Sequence, residues 1–206
     1  MAERIPAGRA GRLWLLERIA AARRGMDLLD RKRQLLRREY DRLVLVAEER
    51  RRPWTDACVE AGRWSLRVAM LGGSGEIALV AGAVAGKAEV TLSWRNTMGV
   101  QHPDDARCAL PEIMPPDIAA GTAALGPAAT AYRRALELGV AVAVAEAARQ
   151  RIERELHATQ RRLRGIERRH MPALESALQA LELQLDELER EDRVITRWAQ
   201  RRQAVR

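Results

Sequence analysis

LLERIAAARRGMDLLDRKRQLLRREYDRLVLVA, residues 15–47, fixes how this chain is read. Along it Leu15, Ile19, Ala22, Met26, Leu29, Arg33, Leu36, Tyr40, Leu43 and Ala47 recur at alternating steps of four and three. That is the a/d seam of a left-handed coiled coil. Only Arg33 in the series is charged, so the stripe can face a second helix along its whole length. The rhythm continues outward through Arg50, Trp54, Ala57, Ala61, Trp64, Val68 and Leu71. Pro53 interrupts it and predicts a kink, or a new helix with proline in its first turn. The first arm thus occupies residues 1–71, helical from about Pro6.

Residues 72–126 read differently. They hold 8 of the 14 glycines and 4 of the 8 prolines, including Gly72-Gly73-Ser74-Gly75 and Pro115-Pro116, which excludes continuous helix. Inside this insertion Lys87 to Arg95 alternates strictly, with Ala88, Val90, Leu92 and Trp94 on one face and Lys87, Glu89, Thr91, Ser93 and Arg95 on the other. The pattern predicts a half-buried strand. Asn96-Thr97-Met98-Gly99 supplies a turn and predicts a return strand near Arg107 to Leu110, giving a small β-hairpin with irregular flanks.

The helical pattern resumes for residues 127–206. Ile152, Leu156, Thr159, Leu163, Ile166 and His170 step by four and three, as do Leu174, Leu178, Leu181, Leu185, Leu188, Asp192 and Ile195. Between the runs the spacing is four-four-four, from Ile166 through His170 and Leu174 to Leu178. Such a stutter locally unwinds a supercoil, and Pro172 inside it predicts a bend. Arms of about 65 and 75 residues would each extend ~100 Å at the helical rise. The fold class expected is all-α dominated, a long two-helix antiparallel coiled coil with a small β-hairpin insertion in the middle. Both termini would share one end, with Leu15 near Leu188 and Trp64 near Gly139.

Composition agrees with this reading. Hydrophobic residues make up 47%, aromatics only 3% with no Phe, and 31% of residues are charged, a balance typical of long helices and unlike an aromatic-rich globular core. The net charge of +8 divides into +7 over residues 1–71, −3 over 72–126 and +4 over 127–206, so the basic excess sits on the arms. Lys32 and Lys87 are the only lysines; the rest is Arg, suited to bidentate pairing at interfaces.

No catalytic constellation stands out. Gly82-Ala83-Val84-Ala85-Gly86-Lys87 lacks the four-residue spacing and following Ser/Thr of a phosphate loop, and reads as a flexible lead into the strand. His102, His157 and His170 have no partner at helical ligand spacing and read as surface or seam residues. Cys58 and Cys108, far apart, predict neither disulfide nor zinc site. No cofactor is expected. With no membrane-length apolar run and no secretory pattern around Glu3 and Arg4, the chain is expected in the cytoplasm, without direct membrane insertion. Arg23-Arg24, Arg31-Lys32-Arg33, Arg37-Arg38, Arg50-Arg51-Arg52, Arg161-Arg162 and Arg168-Arg169 could serve nucleic acid. Interleaved acids such as Glu187, Glu189, Glu191 and Asp192 favour a solvated face laced with ion pairs.

Several stretches resemble the D subunit of the vacuolar/archaeal-type (V/A-type) rotary ATPases. They are Pro6-Ala7-Gly8-Arg9 with Leu13, Leu16 and Arg18, then Ala22 to Arg33, Asn96-Thr97-Met98-Gly99-Val100 with Pro103, Arg161 to Glu167, Met171-Pro172 and Leu188 to Asp192. Arg164 and Gly165 depart from the family's usual Asn and Ala. The resemblance implies a non-catalytic central rotor shaft of an ion-translocating ATPase, peripheral on the cytoplasmic face of the membrane. Its partners would be the ring of catalytic and regulatory subunits, a small central-stalk subunit and a funnel-shaped subunit above the membrane rotor. On that reading the shared tip would offer Arg9, Arg12, Arg18, Arg190, Arg193, Arg197 and Arg201 to the ring. Leu15, Ile19, Met26, Leu29, Leu36, Leu174, Leu178, Leu181, Leu185 and Leu188 would form the seam. The alternative is a basic coiled-coil nucleic-acid-binding or export-apparatus protein.

Few aromatics and interleaved acids argue against a nucleic-acid partner. A filter-binding titration at physiological salt is expected to give only weak retention, indifferent to sequence; selective sub-micromolar affinity would favour the alternative.

Overall fold

The computed structural model describes residues 5–73, 75–83, 86–111 and 121–204. Ser74, Val84-Ala85 and Pro115-Pro116, which figured in the reading of the insertion, lie outside the described residues. The elements are α1 (Gly8–Gly72), α2 (Glu76–Ala83), β1 (Glu89–Thr97), β2 (Val100–Ala109), α3 (Leu125–Gly165), a π turn (Ile166–His170) and α4 (Met171–Ala204). They fall into two compact units, one of residues 1–34 with 157–206 and the other of residues 35–156.

In the first unit the start of α1 packs against the end of α3, the π turn and α4. Leu15 and Ile19 on one side, and Thr159, Leu163 and Met171 on the other, are buried. Arg9 meets Glu189 at 3.1 Å, Arg12 meets Glu182 at 2.9 Å and Arg23 meets Glu175 at 3.5 Å, so the helices run antiparallel. These pairs are exposed and contribute about 0–1 kcal/mol each, which makes them register markers more than supports. Gly11 faces Leu181: a Cβ there would lie 3.2 Å from the Leu181 Cδ2 and 2.0 Å from the Pro6 carbonyl oxygen. Only glycine lets the residues before α1 cross it so closely, and the positive φ of Gly8 (71°) makes the turn. Leu188, expected opposite Leu15, is instead 56% exposed.

The irregular spacing after Ile166 also resolves differently from a stutter. Met171 is buried and His170 exposed, so the buried series runs Thr159, Leu163, then Met171, with Ile166, Leu174, Leu178, Leu181 and Leu185 half-buried. Relative to alternating threes and fours this carries one extra residue. The π turn takes it up, with the Met171 N–H donating to the Ile166 carbonyl.

In the second unit α1 and α3 also pair antiparallel. Leu36, Leu43, Ala148, Ile152 and Leu156 form one core, against which Tyr40 and Val100 pack. Ala57, Ala61 and Ala135 form a second, and Val68, Ala124, Leu125 and Ala128 a third with Trp64 and Ile77 beside it. Arg50 Nη1 donates to the Ala141 carbonyl at 3.1 Å, and Arg51 pairs with Glu146. Helix α1 runs through Pro53 without a new helix starting there; the ring is exposed, where water can satisfy the carbonyl it leaves unpaired. The residue facing Gly139 is Trp54, not Trp64: a Cβ on Gly139 would lie 3.0 Å from the indole Nε1.

A helix stands where the sequence suggested only irregular chain. At the start of α2, Glu76 accepts the Thr122 N–H at 2.6 Å and the Thr122 O–H at 3.0 Å. Its carboxylate occupies the space that a Cβ on Gly72 or Gly121 would need, at 2.0 and 2.5 Å, so two glycines of the insertion serve a clamp.

Replacing Gly139 by Leu should drive the Trp54 indole from its seat and destabilise the chain by ~1–3 kcal/mol, the usual range for overpacking. Gly62, whose added Cβ would meet nothing within 4 Å, is the control. Gly62→Ala should stabilise by about 0.5–1 kcal/mol through helix propensity. Urea denaturation followed by circular dichroism checks both signs.

Candidate functional site

Two exposed surfaces carry the candidate residues, one in each unit. In the first unit Arg9 lies at the paired tip with its side chain 84% exposed, and its partner Glu189 also receives Arg193 at 3.5 Å. Arg12 is held by Glu182, and the Arg18 guanidinium lies 5.2 Å from the centroid of the Trp14 ring. Beyond Glu189, α4 is exposed through Arg201, and this stretch carries Arg190, Arg193, Arg197 and Arg201. Arg197 Nε donates to the Arg193 carbonyl at 3.4 Å. Among them Val194, Ile195 and Trp198 are each more than half exposed. Arg9 and Arg193 thus meet at Glu189 with Arg12 on the neighbouring Glu182, while Arg190, Arg197 and Arg201 lie along the exposed α4. An arginine in a surface pair of this kind can exchange its carboxylate at little cost.

The second surface is the hairpin. Strands β1 and β2 pair antiparallel from Glu89↔Ala109 to Thr97↔Val100, leaving Met98 and Gly99 as a two-residue loop. Both have positive φ, 52° and 81°, the geometry whose twist suits a two-stranded ribbon. Asn96 fixes the loop by accepting the Gly99 N–H at 2.9 Å. The return strand therefore begins directly at Val100, not near Arg107 as the sequence suggested. The register slips between Ser93 and Trp94, leaving Asp104 as the extra residue of a bulge, with its carboxylate 2.9 Å from Arg95. The bulge is also where a strand tolerates Pro103.

Strand β2 is the one that lies on the helices. Val100 packs on the Leu36–Leu43 core, and His102 and Pro103 are buried. His102 Nδ1 donates to the Pro103 carbonyl at 3.1 Å, Nε2 lies 3.1 Å from the Thr97 hydroxyl, and Glu39 of α1 approaches Nε2 at 4.0 Å. Arg42, 2.6 Å from Glu39, holds that carboxyl below its usual range against the opposing effect of burial. From α3, Arg151 donates to the Gln101 carbonyl at 3.1 Å and stacks its guanidinium 5.1 Å from the Trp94 ring centroid. His102 is thus neither a surface nor a seam residue but the buried anchor of the hairpin; the sequence signal for it was the His-Pro step beside the turn. His157 and His170 are exposed.

With β2 inward, β1 is the outer edge. Val90, Leu92 and Trp94 are 40–53% exposed, so the alternation correctly marked one apolar face, but that face is open instead of half-buried. An apolar cavity of about 590 Å³ lies between α2, the base of the hairpin and α3, lined by Ile77, Ala88, Leu110, Leu125, Tyr132 and Leu136. Its one charged side chain, Arg133, donates to the Pro111 carbonyl, and no set of polar groups converges there. Among the described residues no group of three or more His, Cys, Asp or Glu could hold a metal ion, and no helix is long and apolar enough to cross a membrane.

Comparison with known proteins places most of the chain in one family. A family model described as the ATP synthase D subunit matches residues 13–201. The V-type ATP synthase D subunit of Thermotoga neapolitana is 30% identical over 179 residues, covering 86% of this chain and 88% of that protein. The A-type ATP synthase D subunit of Pyrococcus horikoshii is 28% identical, covering 87% of this chain and 86% of its own. That of Haloquadratum walsbyi is 27% identical over 93% of this chain and 84% of its own. Since the match runs through the paired arms and the hairpin alike, the chain belongs to the family of ATP synthase D subunits.

Proposed function

We propose that this chain is the central rotor shaft of a V/A-type ATPase, a non-catalytic part that transmits torque between the catalytic ring and the membrane rotor. The observation that carries the reading is the antiparallel pairing of the two terminal helices at one exposed, arginine-rich tip, in a different unit from the one that bears the hairpin. A shaft that offers different faces to otherwise equivalent ring sites biases them toward different conformations by differential contact.

In this reading Arg9, Arg12, Arg18, Arg190, Arg193, Arg197 and Arg201 meet the catalytic and regulatory ring subunits. Guanidinium groups form charge-assisted bonds with carboxylates at several rotational positions. Leu15, Ile19, Met26, Leu29, Leu36, Leu174, Leu178, Leu181 and Leu185 keep the paired helices in phase. Leu188, exposed beside the tip arginines, joins Ile195 and Trp198 as apolar contact for the ring. The open apolar face of β1 receives the small stalk subunit, and a funnel-shaped subunit links the chain to the membrane rotor. The complex then holds this chain on the cytoplasmic face of the membrane without insertion. The nucleic-acid or export-apparatus alternative has only the basic charge in its favour.

Deleting Arg193 to Arg206 is expected to weaken capture by the ring and lower coupled ATP turnover while the stalk subunit still binds. Replacing Lys87 to Leu110 with a short Gly/Ser linker is expected to do the reverse. Pull-downs of both variants against each partner test the assignment, which fails if the C-terminal deletion abolishes stalk binding and spares the ring.

Acid should release the hairpin first. Because Arg42 depresses the Glu39 carboxyl, its stabilising effect is complete above the ordinary glutamate value of 4.5 and is lost as pH falls below it through the lowered folded value. Trp94 fluorescence, reporting the Arg151 stack, should change over that acid range. In Glu39→Gln, which has no carboxylate to titrate, this acid transition should shrink; an unchanged transition would remove Glu39 from the anchor.

A further inference from the structure

The extra residue in the second arm is unnecessary for its packing. If one residue of the π turn, such as His170, were absent, Leu163, Ile166, Met171, Leu174, Leu178, Leu181 and Leu185 would fall into unbroken threes and fours with the same side chains facing α1. An ordinary α-helix would then serve, with its full set of i to i+4 bonds. The chain instead keeps a turn in which Met171 reaches back five residues to Ile166 and none of whose residues is buried.

Two neighbours weaken the same stretch. Pro172 stands two residues past the end of the turn and has no N–H, so a carbonyl of the turn lacks its amide partner, and the widened turn relieves the clash that proline makes with the carbonyl four residues back. Gly165 precedes the turn, and an added Cβ there would meet nothing within 4 Å, so packing does not require glycine. On the facing helix, the Gly11–Leu181 and Arg23–Glu175 contacts set Gly25 at the level of the turn, again with open space around it. A locally costly conformation that the fold could shed by losing one residue points to a use outside stability.

We propose that the π turn at Ile166–His170 is a twist-adjusting joint of the first unit. The surplus residue can pass toward the N-terminal side, where Gly165 offers no obstacle, and is stopped on the other side by Pro172. Each passage rotates the intervening turn by one residue's phase while Met171 and the leucines beyond it stay in the seam. The joint lets the turn ahead of Met171 change phase without unpairing α4 from α1.

Hydrogen–deuterium exchange on the full-length chain tests this. Amides of 167–171 are expected to exchange at least about ten-fold faster than those of 157–163 and 178–185, the signature of local opening. Deleting His170 is expected to bring them to the rate of their neighbours and raise the Tm. Pro172→Ala, which keeps the residue count and restores an amide, is expected to slow exchange part of the way. Exchange no faster in the turn than beside it, or a lower Tm on deletion, would overturn the joint. These readouts need no partner, so they hold even if the ring does not bind this chain and the shaft reading fails. Where the ring does bind, the deletion variant should be captured normally yet show lower coupled turnover; full turnover would also overturn the joint.

Discussion

A helix pair has one buried face, and everything else in this molecule depends on keeping that face in phase. In a globular core a misplaced side chain finds other neighbours, but a two-helix layer offers a single stripe per helix, and a slip of one residue turns the whole stripe toward water. The extra residue after Ile166 therefore cannot be ignored by the fold. It is taken up where Gly165 and Pro172 already weaken the α-helix, and the leucine series beyond returns to the seam. Charged pairs such as Arg12–Glu182 read out the phase more than they impose it.

Around this constraint the glycines acquire particular tasks. Gly139 makes room for an indole, Gly11 for a crossing carbonyl, and Gly72 and Gly121 for one carboxylate. Each removes a Cβ where another group must come within van der Waals range of a backbone. The arginines divide similarly. Some, like Arg50 and Arg151, donate to backbone carbonyls and bind structural elements together within the second unit, while those at the tip sit in exchangeable surface pairs.

The periodicity of residues 15–71 was legible because a seam imposes a rule on every residue in the stripe: as far as Val68 none of these positions is exposed, and only the last, Leu71, turns outward at 67% exposed. Phase between the arms was not, since every heptad offers an equally good slip, and the true register is decided by single contacts such as Trp54 on Gly139. The helix α2 was hidden because Gly73 and Gly75 before it and Gly82 at its end read as helix breakers, while Glu76, which opens the helix, has its partner at Thr122, 46 residues away. The hairpin's alternation was plain, but which strand faced inward depended on His102 and Glu39, residues of different elements whose proximity no local pattern encodes. The tip arginines were chosen by position alone; that Arg9 reaches the Glu189 that Arg193 also meets emerges only in three dimensions.

The alanines of the second unit carry a different kind of information. Ala57, Ala61, Ala124, Ala128, Ala135, Ala145 and Ala148 are all buried, so along much of this pair the backbones meet with little side chain between them. Such a stretch gains little from any one residue and is hard to improve by filling space, because there is almost none to fill. An added ethyl group would push two helices apart over several turns, spreading its effect along the axis. For sequence drift this means many mild losses and few neutral gains: the alanine stretch sets the calibre of the pair, a property that no single position can reset.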